Sequence, residues 1–394
     1  MKVAIVHDYF IQMGGAEKVA EELHALFPSS TLVTTVDIHG KPGIVTSWMQ
    51  RLPINERNHR LFFMLFPVGV ESLDLREYDL IISSTSGYAK GIRKRADAIH
   101  ICYCHTPMRW VWRFGSYSER ESFGGVTRFL LPPLIKLLKL WDLRAARRPD
   151  HYIANSNVVA ERIKEFYGRE ATVIPPPIDT QRFAGETSEN GDFYLVLSRL
   201  SHYKRIDLAV EACKRLDRRL VVIGDGPARA ELERIAGPRT EFLGRAPDDV
   251  VADYARKCRA LIFPGEEDFG MTPLEVNAAG RPVIAFRAGG ATETVIDRTT
   301  GVFFGAPTPE SLAEAIGSFE TVTWDPDVIR KHAQGFGRGV FAASIMDLVT
   351  SIVPSYATRS ISEEPRTHAL SPPCGRPVLS QVVNEPVLLG NTAD

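Results

Sequence analysis

Cysteine is scarce in this chain: Cys102, Cys104, Cys213, Cys258 and Cys374 are the only five among 394 residues. They are scattered and odd in number, which argues against a secreted disulfide framework and for a reducing cytosol. Cys102 and Cys104 alternate along an expected strand, with too few further ligands nearby for a metal. No apolar run reaches the roughly 18 residues that a membrane-crossing helix needs. The N-terminus runs straight into Lys2-Val3-Ala4-Ile5-Val6, without the basic and apolar blocks of a signal peptide. Neither sign of charge is in excess. The 47 Lys and Arg stand against 48 Asp and Glu, a formal net charge of −1, so nothing points to nucleic-acid binding. The dinucleotide fingerprint G-x-G-x-x-G is absent, and no Asp-x-Asp or histidine cluster offers a divalent ion a site.

What is present is an alternation of short apolar runs with helix-like segments. In the first half, strands are predicted at Val3–Val6, Leu80–Ile82, Ile99–Tyr103 and His151–Ala154, and helices at Ala16–Leu26, Leu134–Arg148 and Val158–Tyr167. Such β/α alternation argues for a parallel, doubly wound sheet. Val173-Ile174-Pro175-Pro176-Pro177 then breaks the pattern, because three prolines fit neither a central strand nor a helix interior. The polar stretch Gly185–Gly191 follows, and the domain boundary is placed here, at about residue 176. The alternation restarts with strands at Phe193–Leu197, Leu220–Ile223, Glu241–Leu243, Ala260–Phe263, Val283–Phe286 and Gly301–Phe304. Helices at Ile206–Leu216 and Ala228–Ile235 fall between them. Two facing domains, 1–176 and 177–337, result. The tail 355–394 has no aromatic residue after Tyr356 and is read as disordered.

The segment Glu266-Glu267-Asp268-Phe269-Gly270-Met271-Thr272-Pro273-Leu274-Glu275 carries the strongest chemical signal. A Phe-Gly loop enters a helix start between Glu267 and Glu275. Backbone N–H groups there suit a diphosphate, and carboxylates suit sugar hydroxyls. Ala278-Ala279-Gly280-Arg281-Pro282 and Gly289-Gly290-Ala291-Thr292-Glu293 follow. This stretch resembles the donor-sugar motif of retaining glycosyltransferases of GT-B fold, family 4. The resemblance covers about residues 1–350. It implies an α/β fold of two Rossmann-like domains around a cleft, and a C-terminal helix near 338–354 that crosses back to the first domain. It also implies that Glu267 contacts the transferred sugar and Glu275 the nucleotide ribose. The N–H groups from Phe269 through Gly270 and Met271 to Thr272 would meet the sugar and β-phosphate. Thr272-Pro273-Leu274-Glu275 also reads as a capping box, with Thr272 as N-cap and Glu275 closing it; both roles stay open.

The remaining motifs are shorter. Arg199 and Lys204, in Ser198-Arg199-Leu200-Ser201-His202-Tyr203-Lys204-Arg205, resemble the family's pair that neutralises the donor diphosphate. Lys204 and Arg205 precede a helix, where the dipole disfavours cations; a bound diphosphate would relieve that conflict, and solvated surface cations are the alternative. Gly14-Gly15 stands between the first strand and helix, where glycine permits close approach to a phosphate; the family places such a loop over the donor. Gly224-Asp225-Gly226-Pro227 matches a structural turn. His105, in Tyr103-Cys104-His105-Thr106-Pro107-Met108-Arg109, is either structural or, as the resemblance implies, in contact with the sugar. That form is especially similar to bacterial mannosyltransferases of polysaccharide and O-antigen assembly. Arg109 and Trp110 are assigned to the acceptor side, and Leu243-Gly244-Arg245 to the nucleobase. Leu134–Arg148 is apolar with a basic face, which suits an anionic membrane surface or a packed helix with snorkelled lysines.

The reading that follows is a metal-independent, cofactor-free hexosyltransferase, catalytic through His105 and Glu267. Its donor is a nucleotide sugar, GDP-mannose by resemblance. Its acceptor is a glycan or polyprenyl-linked glycan, met in the cytoplasm or on the inner face of the membrane. An epimerase of the same fold and a non-catalytic sugar-nucleotide sensor are the competing classes.

Overall fold

Two sets of short apolar strands, buried on both faces, build two separate parallel sheets. The computed structural model describes residues 1–12, 14–112, 125–185 and 191–354, with Trp110 and residues 125–130 in backbone only. The first sheet contains β1 (Val3–His7), β2 (Thr31–Thr34), β3 (Val45–Thr46), β4 (Leu80–Thr85), β5 (Ile99–Cys104), β6 (His151–Ala154) and β7 (Thr172–Val173). Its order is β3-β2-β1-β4-β5-β6-β7. The second contains β8 (Tyr194–Leu197), β9 (Leu220–Ile223), β10 (Thr240–Gly244), β11 (Ala260–Phe263), β12 (Val283–Phe286) and β13 (Gly301–Phe304). Its order is β10-β9-β8-β11-β12-β13. All the strand pairs are parallel. Met1–Val349 form one compact unit.

Side chains on successive strand residues point to opposite faces. In the second sheet, Tyr194, Val196, Val222 and Ile262 therefore enter one core, and Leu195, Val221, Leu261 and Phe263 the other. Both faces are covered by helices, as an all-parallel sheet requires. In each sheet the order reverses beside the first strand of its half, between β1 and β4 and between β8 and β11. Ligand crevices form outside the carboxyl ends of strands at such a reversal.

Two buried polar knots fix the first half near that edge. The Asp8 carboxylate, just past β1, accepts bonds from Thr85 Oγ1 (2.8 Å) and from the N–H groups of Ser86 (2.7 Å), Tyr88 (2.8 Å) and Ala89 (2.6 Å). This ties the turn after β4 to β1. Next to it, Lys90 is 1% exposed and forms an ion pair with the wholly buried Asp142 at 2.5 Å. Trp112 Nε1 and the Tyr167 hydroxyl each donate to Asp142 at 2.8 Å. The helix Gly125–Ala145 is thereby anchored to the sheet.

That helix begins well before Leu134, where the sequence predicts it to start. Pro132 and Pro133 lie inside it with exposed side chains. The short strands β2, β3 and β7 have no counterpart in the sequence pattern, since two to four residues carry little periodic signal. The helix Arg338–Ile352 buries Phe341, Ile345 and Val349. Phe341 meets the Tyr103 ring at 6.0 Å, and Arg338 pairs with Glu22 at 2.7 Å. Residues 113–124, the side chain of Trp110, which the sequence assigns to the acceptor side, and the tail from 355 with Cys374 lie outside the described residues.

Removing one member of a buried ion pair strands the other charge. Lys90→Met is expected to lower stability by about 3–5 kcal/mol, read as an earlier urea midpoint. A midpoint equal to wild type would show that the pair does not anchor the helix.

Candidate active site

Chain segments from both halves converge where the two sheets end. Glu267 leaves β11 through a short loop and forms an ion pair with Lys204 Nζ. Burial works against charge on Lys204, but Glu267 and Tyr203 outweigh it and hold the lysine pKa above its ordinary value. The sequence assigns these residues to separate parts of the donor; the structure joins them. Arg205 plays no part in that pairing and turns back onto Asp207, with contacts of 2.9–3.1 Å. That local pairing settles the conflict of a cation ahead of the Ile206–Arg215 helix.

The helix after the loop runs from Met271 to Ala278, and its N-cap is Gly270 at φ 88°. This left-handed conformation is open to glycine at little cost. The predicted capping box is therefore corrected. The helix starts one residue earlier than Thr272, no side chain caps it, and Glu275 sits too deep in the helix to reach back. The N–H groups of Gly270, Met271 and Thr272 have no acceptor among the described residues. Unpaired N–H groups and the positive end of the helix dipole favour an anion here. Phe269, by contrast, is a packing residue: its ring is 4% exposed and meets Phe336 at 6.0 Å. Behind the loop, the Gly290 N–H donates to the Glu267 carbonyl at 2.9 Å. A Cβ on Gly290 would collide with the Phe269 backbone.

Glu275 has no hydrogen bond or ion pair among the described residues. Burial pushes its pKa up, against the pull of Lys18 and Arg182. An unpaired, half-buried carboxylate is unfavourable unless a ligand meets it.

From the first half, His105 follows β5 and is buried, with its Nε2 2.8 Å from Ser84 Oγ. Ser84 also meets His7 Nδ1 at 3.2 Å. Burial, with His7 beside it, holds the His105 pKa down to about 3, so the ring is neutral at ordinary pH. His7 is not singled out by the sequence, where the predicted strand stops at Val6; in the structure it ends β1. No contact joins His105 to Glu267 among the described residues.

At Gly14 the N–H of the loop is taken by the protein itself. The Glu17 carboxylate accepts the N–H groups of Gly14 (2.5 Å), Gln12 (3.0 Å) and Ile11 (3.4 Å). The loop already holds an anion of its own. It still touches the donor side: a Cβ on Gly15 would lie 3.0 Å from Met271 Sδ, and Arg199 donates to Gln12 Oε1 at 3.1 Å.

Asp268, one of three acids that read from sequence as a solvated surface, is 16% exposed and binds both Arg109 and Arg162 of the first half. Ser156 Oγ donates to the Asp268 carbonyl at 2.6 Å. Glu293 accepts from the N–H groups of Asn157 (2.9 Å) and Val158 (3.2 Å). Neither Arg162 nor Glu293 carries a sequence signal for this, because their partners lie more than a hundred residues away.

Beside the loop lies a cavity of about 890 Å³, lined by Thr106, Arg109, Arg199 and Glu266 among others, but not by Lys204, Glu267 or Glu275. Among the described residues no group of His, Cys, Asp and Glu side chains is arranged to hold a metal. An Asp-x-Asp spacing does occur at Asp325-Pro326-Asp327. Both acids are structural there. Asp325 caps the Pro326–Gln334 helix and Asp327 pairs with Arg330 at 2.6 Å.

Glu275→Gln should leave the melting temperature unchanged or slightly raised, since it removes a charge that burial disfavours. Nucleotide-sugar affinity should fall by about tenfold to a hundredfold, measured by calorimetry. A fall in melting temperature with affinity intact would make Glu275 a structural residue.

Comparison with known proteins accords with this geometry. Residues 13–182 match the family model Glycosyltransferase Family 4, and residues 177–334 match Glycosyl transferases group 1. A GDP-mannose-dependent alpha-(1-6)-phosphatidylinositol monomannoside mannosyltransferase of Mycolicibacterium smegmatis is 31% identical over 193 residues, 41% of this chain and 50% of that one. The O-antigen chain mannosyltransferase C of Escherichia coli is 28% identical over 191 residues, 44% of this chain and 50% of that one. The chain thus spans about half the length of these relatives. The structure of Anabaena HepE in complex with UDP matches with a TM-score of 0.66 at 18% identity, covering 89% of this chain and 100% of that one; this likeness speaks to the fold. With two parallel sheets of GT-B arrangement and two family models that adjoin across residues 13–334, the chain belongs to the family 4 glycosyltransferases of GT-B fold.

Proposed function

We propose that this chain transfers a hexose, mannose from GDP-mannose, to a glycan or lipid-linked glycan in cell-surface polysaccharide synthesis. In this reading 1–176 is the acceptor-side domain and 177–337 the donor-side domain. The observation that carries it is the grouping of the Lys204–Glu267 pair, the unpaired N–H groups at Gly270–Thr272 and the unpartnered carboxylate of Glu275. These three features supply a cation, an anion-binding helix end and a hydroxyl acceptor. The diphosphate would sit on the helix end with Lys204 and Arg199, the sugar against Glu267 and His105, and the ribose on Glu275.

Transfer would retain configuration. The bond from the sugar's anomeric carbon to the diphosphate oxygen breaks, and the acceptor hydroxyl bonds to that carbon from the same face. Its proton passes to the departing phosphate oxygen. The two acids nearest the sugar support this over an enzymic nucleophile, because Glu267 is engaged by Lys204 and Asp268 by two arginines. Lys204, Arg199 and the helix end would stabilise charge on the leaving group, as a divalent metal does in other enzymes; we propose that none is needed. His105 is neutral and anchored through Nε2, so it would position a sugar hydroxyl rather than carry charge.

We place the protein in the cytoplasm, on the inner membrane face. Leu134, Leu137 and Leu140 are exposed along the Gly125–Ala145 helix, beside exposed Lys136, Arg144 and Arg147. Exposed leucines flanked by cations suit an anionic lipid surface. Lys139 is no part of that face, since its Nζ lies over the Trp112 ring at 4.1 Å. No helix among the described residues is long and apolar enough to cross a membrane.

The donor is tested by thermal shift against GDP, UDP, ADP, dTDP and their sugar conjugates. A ligand that binds the folded state raises the melting temperature. GDP-mannose should stabilise most, and Lys204→Ala should abolish the shift. A larger shift with a UDP-sugar would replace the donor, and no shift with any would sink the site. In a separate test, Leu137→Glu with Leu140→Glu should reduce co-sedimentation with anionic vesicles several-fold; equal sedimentation would refute the membrane face.

A further inference from the structure

Two residues outside the donor motifs, His7 and Ser84, stand behind His105 and are buried, with 2% and 0% of their surface exposed. We propose that His7 and Ser84 are positioning residues that order the protons around His105. Ser84 donates to its Nε2, and its Nδ1–H is left to donate to an oxygen of the transferred sugar. The proposal rests on the glycosyl-transfer reading and names which half of a hydrogen bond His105 brings to the sugar.

Strand register brings the three residues together. His7 ends β1 and pairs with Ser84 of β4, while Ser84 pairs on its other side with Tyr103 of β5. His105 directly follows β5, and its N–H donates to the Thr85 carbonyl at 2.8 Å. The His7 ring packs on Phe10 with centroids 5.1 Å apart, and the His105 ring on Tyr103 at 5.2 Å. Phe10 and Tyr103 are wholly buried, and this packing resists a flip of either histidine ring.

The hydrogen bonds then run in one direction. A backbone carbonyl only accepts. His7 Nδ1 lies 2.9 Å from the Ser84 carbonyl oxygen, so that nitrogen carries a proton. The same nitrogen is 3.2 Å from Ser84 Oγ and approaches the hydroxyl from the donor side. Ser84 Oγ has a single proton to give. The acceptors in reach are His105 Nε2 at 2.8 Å and the Ala16 carbonyl at 3.4 Å. The first is an ordinary hydrogen-bond distance and the second is at the outer limit. The hydroxyl proton therefore goes to Nε2, which is bare. Burial keeps His105 neutral, and a neutral imidazole then holds its one proton on the other nitrogen. Nδ1 has no protein partner among the described residues, and 8% of the His105 surface stays open. The reverse tautomer would present a bare nitrogen and turn the contact from donor to acceptor. Glu267, as a carboxylate, only accepts, so the two residues make unlike demands on the sugar's hydroxyls.

Nitrogen NMR of the histidine-labelled protein reads the tautomer, because protonated and bare ring nitrogens resonate far apart. The His105 signals are those lost in His105→Gln. They should show a protonated Nδ1 and a bare Nε2; a protonated Nε2 overturns the proposal. Ser84→Ala should shift these signals toward a mixture of tautomers. It should also cut the affinity advantage of GDP-mannose over GDP about tenfold, with GDP affinity at the wild-type value, both measured by calorimetry. His7→Asn, whose amide nitrogen can stand in for Nδ1, should keep the tautomer and the advantage, and His7→Leu should lose several-fold of that advantage. An unmoved tautomer with an undiminished advantage in Ser84→Ala overturns the proposal. So does an equal loss of GDP and GDP-mannose affinity, which marks a structural role. If neither nucleotide binds the wild type, the donor reading falls, and the wild-type tautomer alone decides the order of protons.

Discussion

The ion pairs of Asp268 with Arg109 and Arg162 hold the site together. One carboxylate from the donor loop takes guanidinium groups from two elements of the other half. Ser156 fixes the same residue through its carbonyl, and Glu293 reaches across to the start of the Asn157–Tyr167 helix. Charged hydrogen bonds in a partly buried setting are stronger and more directional than surface pairs.

The strands are legible in the sequence because burial on both faces turns them into short continuous apolar runs. Leu220–Ile223, Ala260–Phe263, Val283–Phe286 and Gly301–Phe304 carry that signal without ambiguity. The site is legible where chemistry is local, as in the Phe-Gly turn that leads into the Met271 helix. It is illegible where partners are distant. Nothing near Asp268 in sequence announces Arg109 or Arg162, and three adjacent acids read as surface. Glu17 shows a subtler limit. Its spacing from Gly14 is visible, but that its carboxylate fills the glycine loop depends on how the chain folds back. The capping box at Thr272 fails for a local reason: Gly270 can take a left-handed conformation, so the helix begins at Met271 without a side-chain cap.

Electrostatics divides the site into matched and unmatched parts. Glu267, Asp268 and Glu17 are each met by donors of the protein itself. Glu275, the N–H groups of the Met271 helix and Thr106 Oγ1 are not, among the described residues. In a folded protein, unmatched polar groups are kept where a ligand completes them.

Asp268 and Glu267 are neighbours in the chain, and a peptide bond is rigid. The residue that fastens one half to the other is therefore mechanically coupled to the residue assigned to the sugar. The Asp268 side chain is held by two arginines and its carbonyl by Ser156 Oγ, while the Glu267 carbonyl is held by the Gly290 N–H. The carboxylate that meets Lys204 thus leaves a backbone already tied to both halves, so its place is set by contacts outside the cleft as much as by its own ion pair.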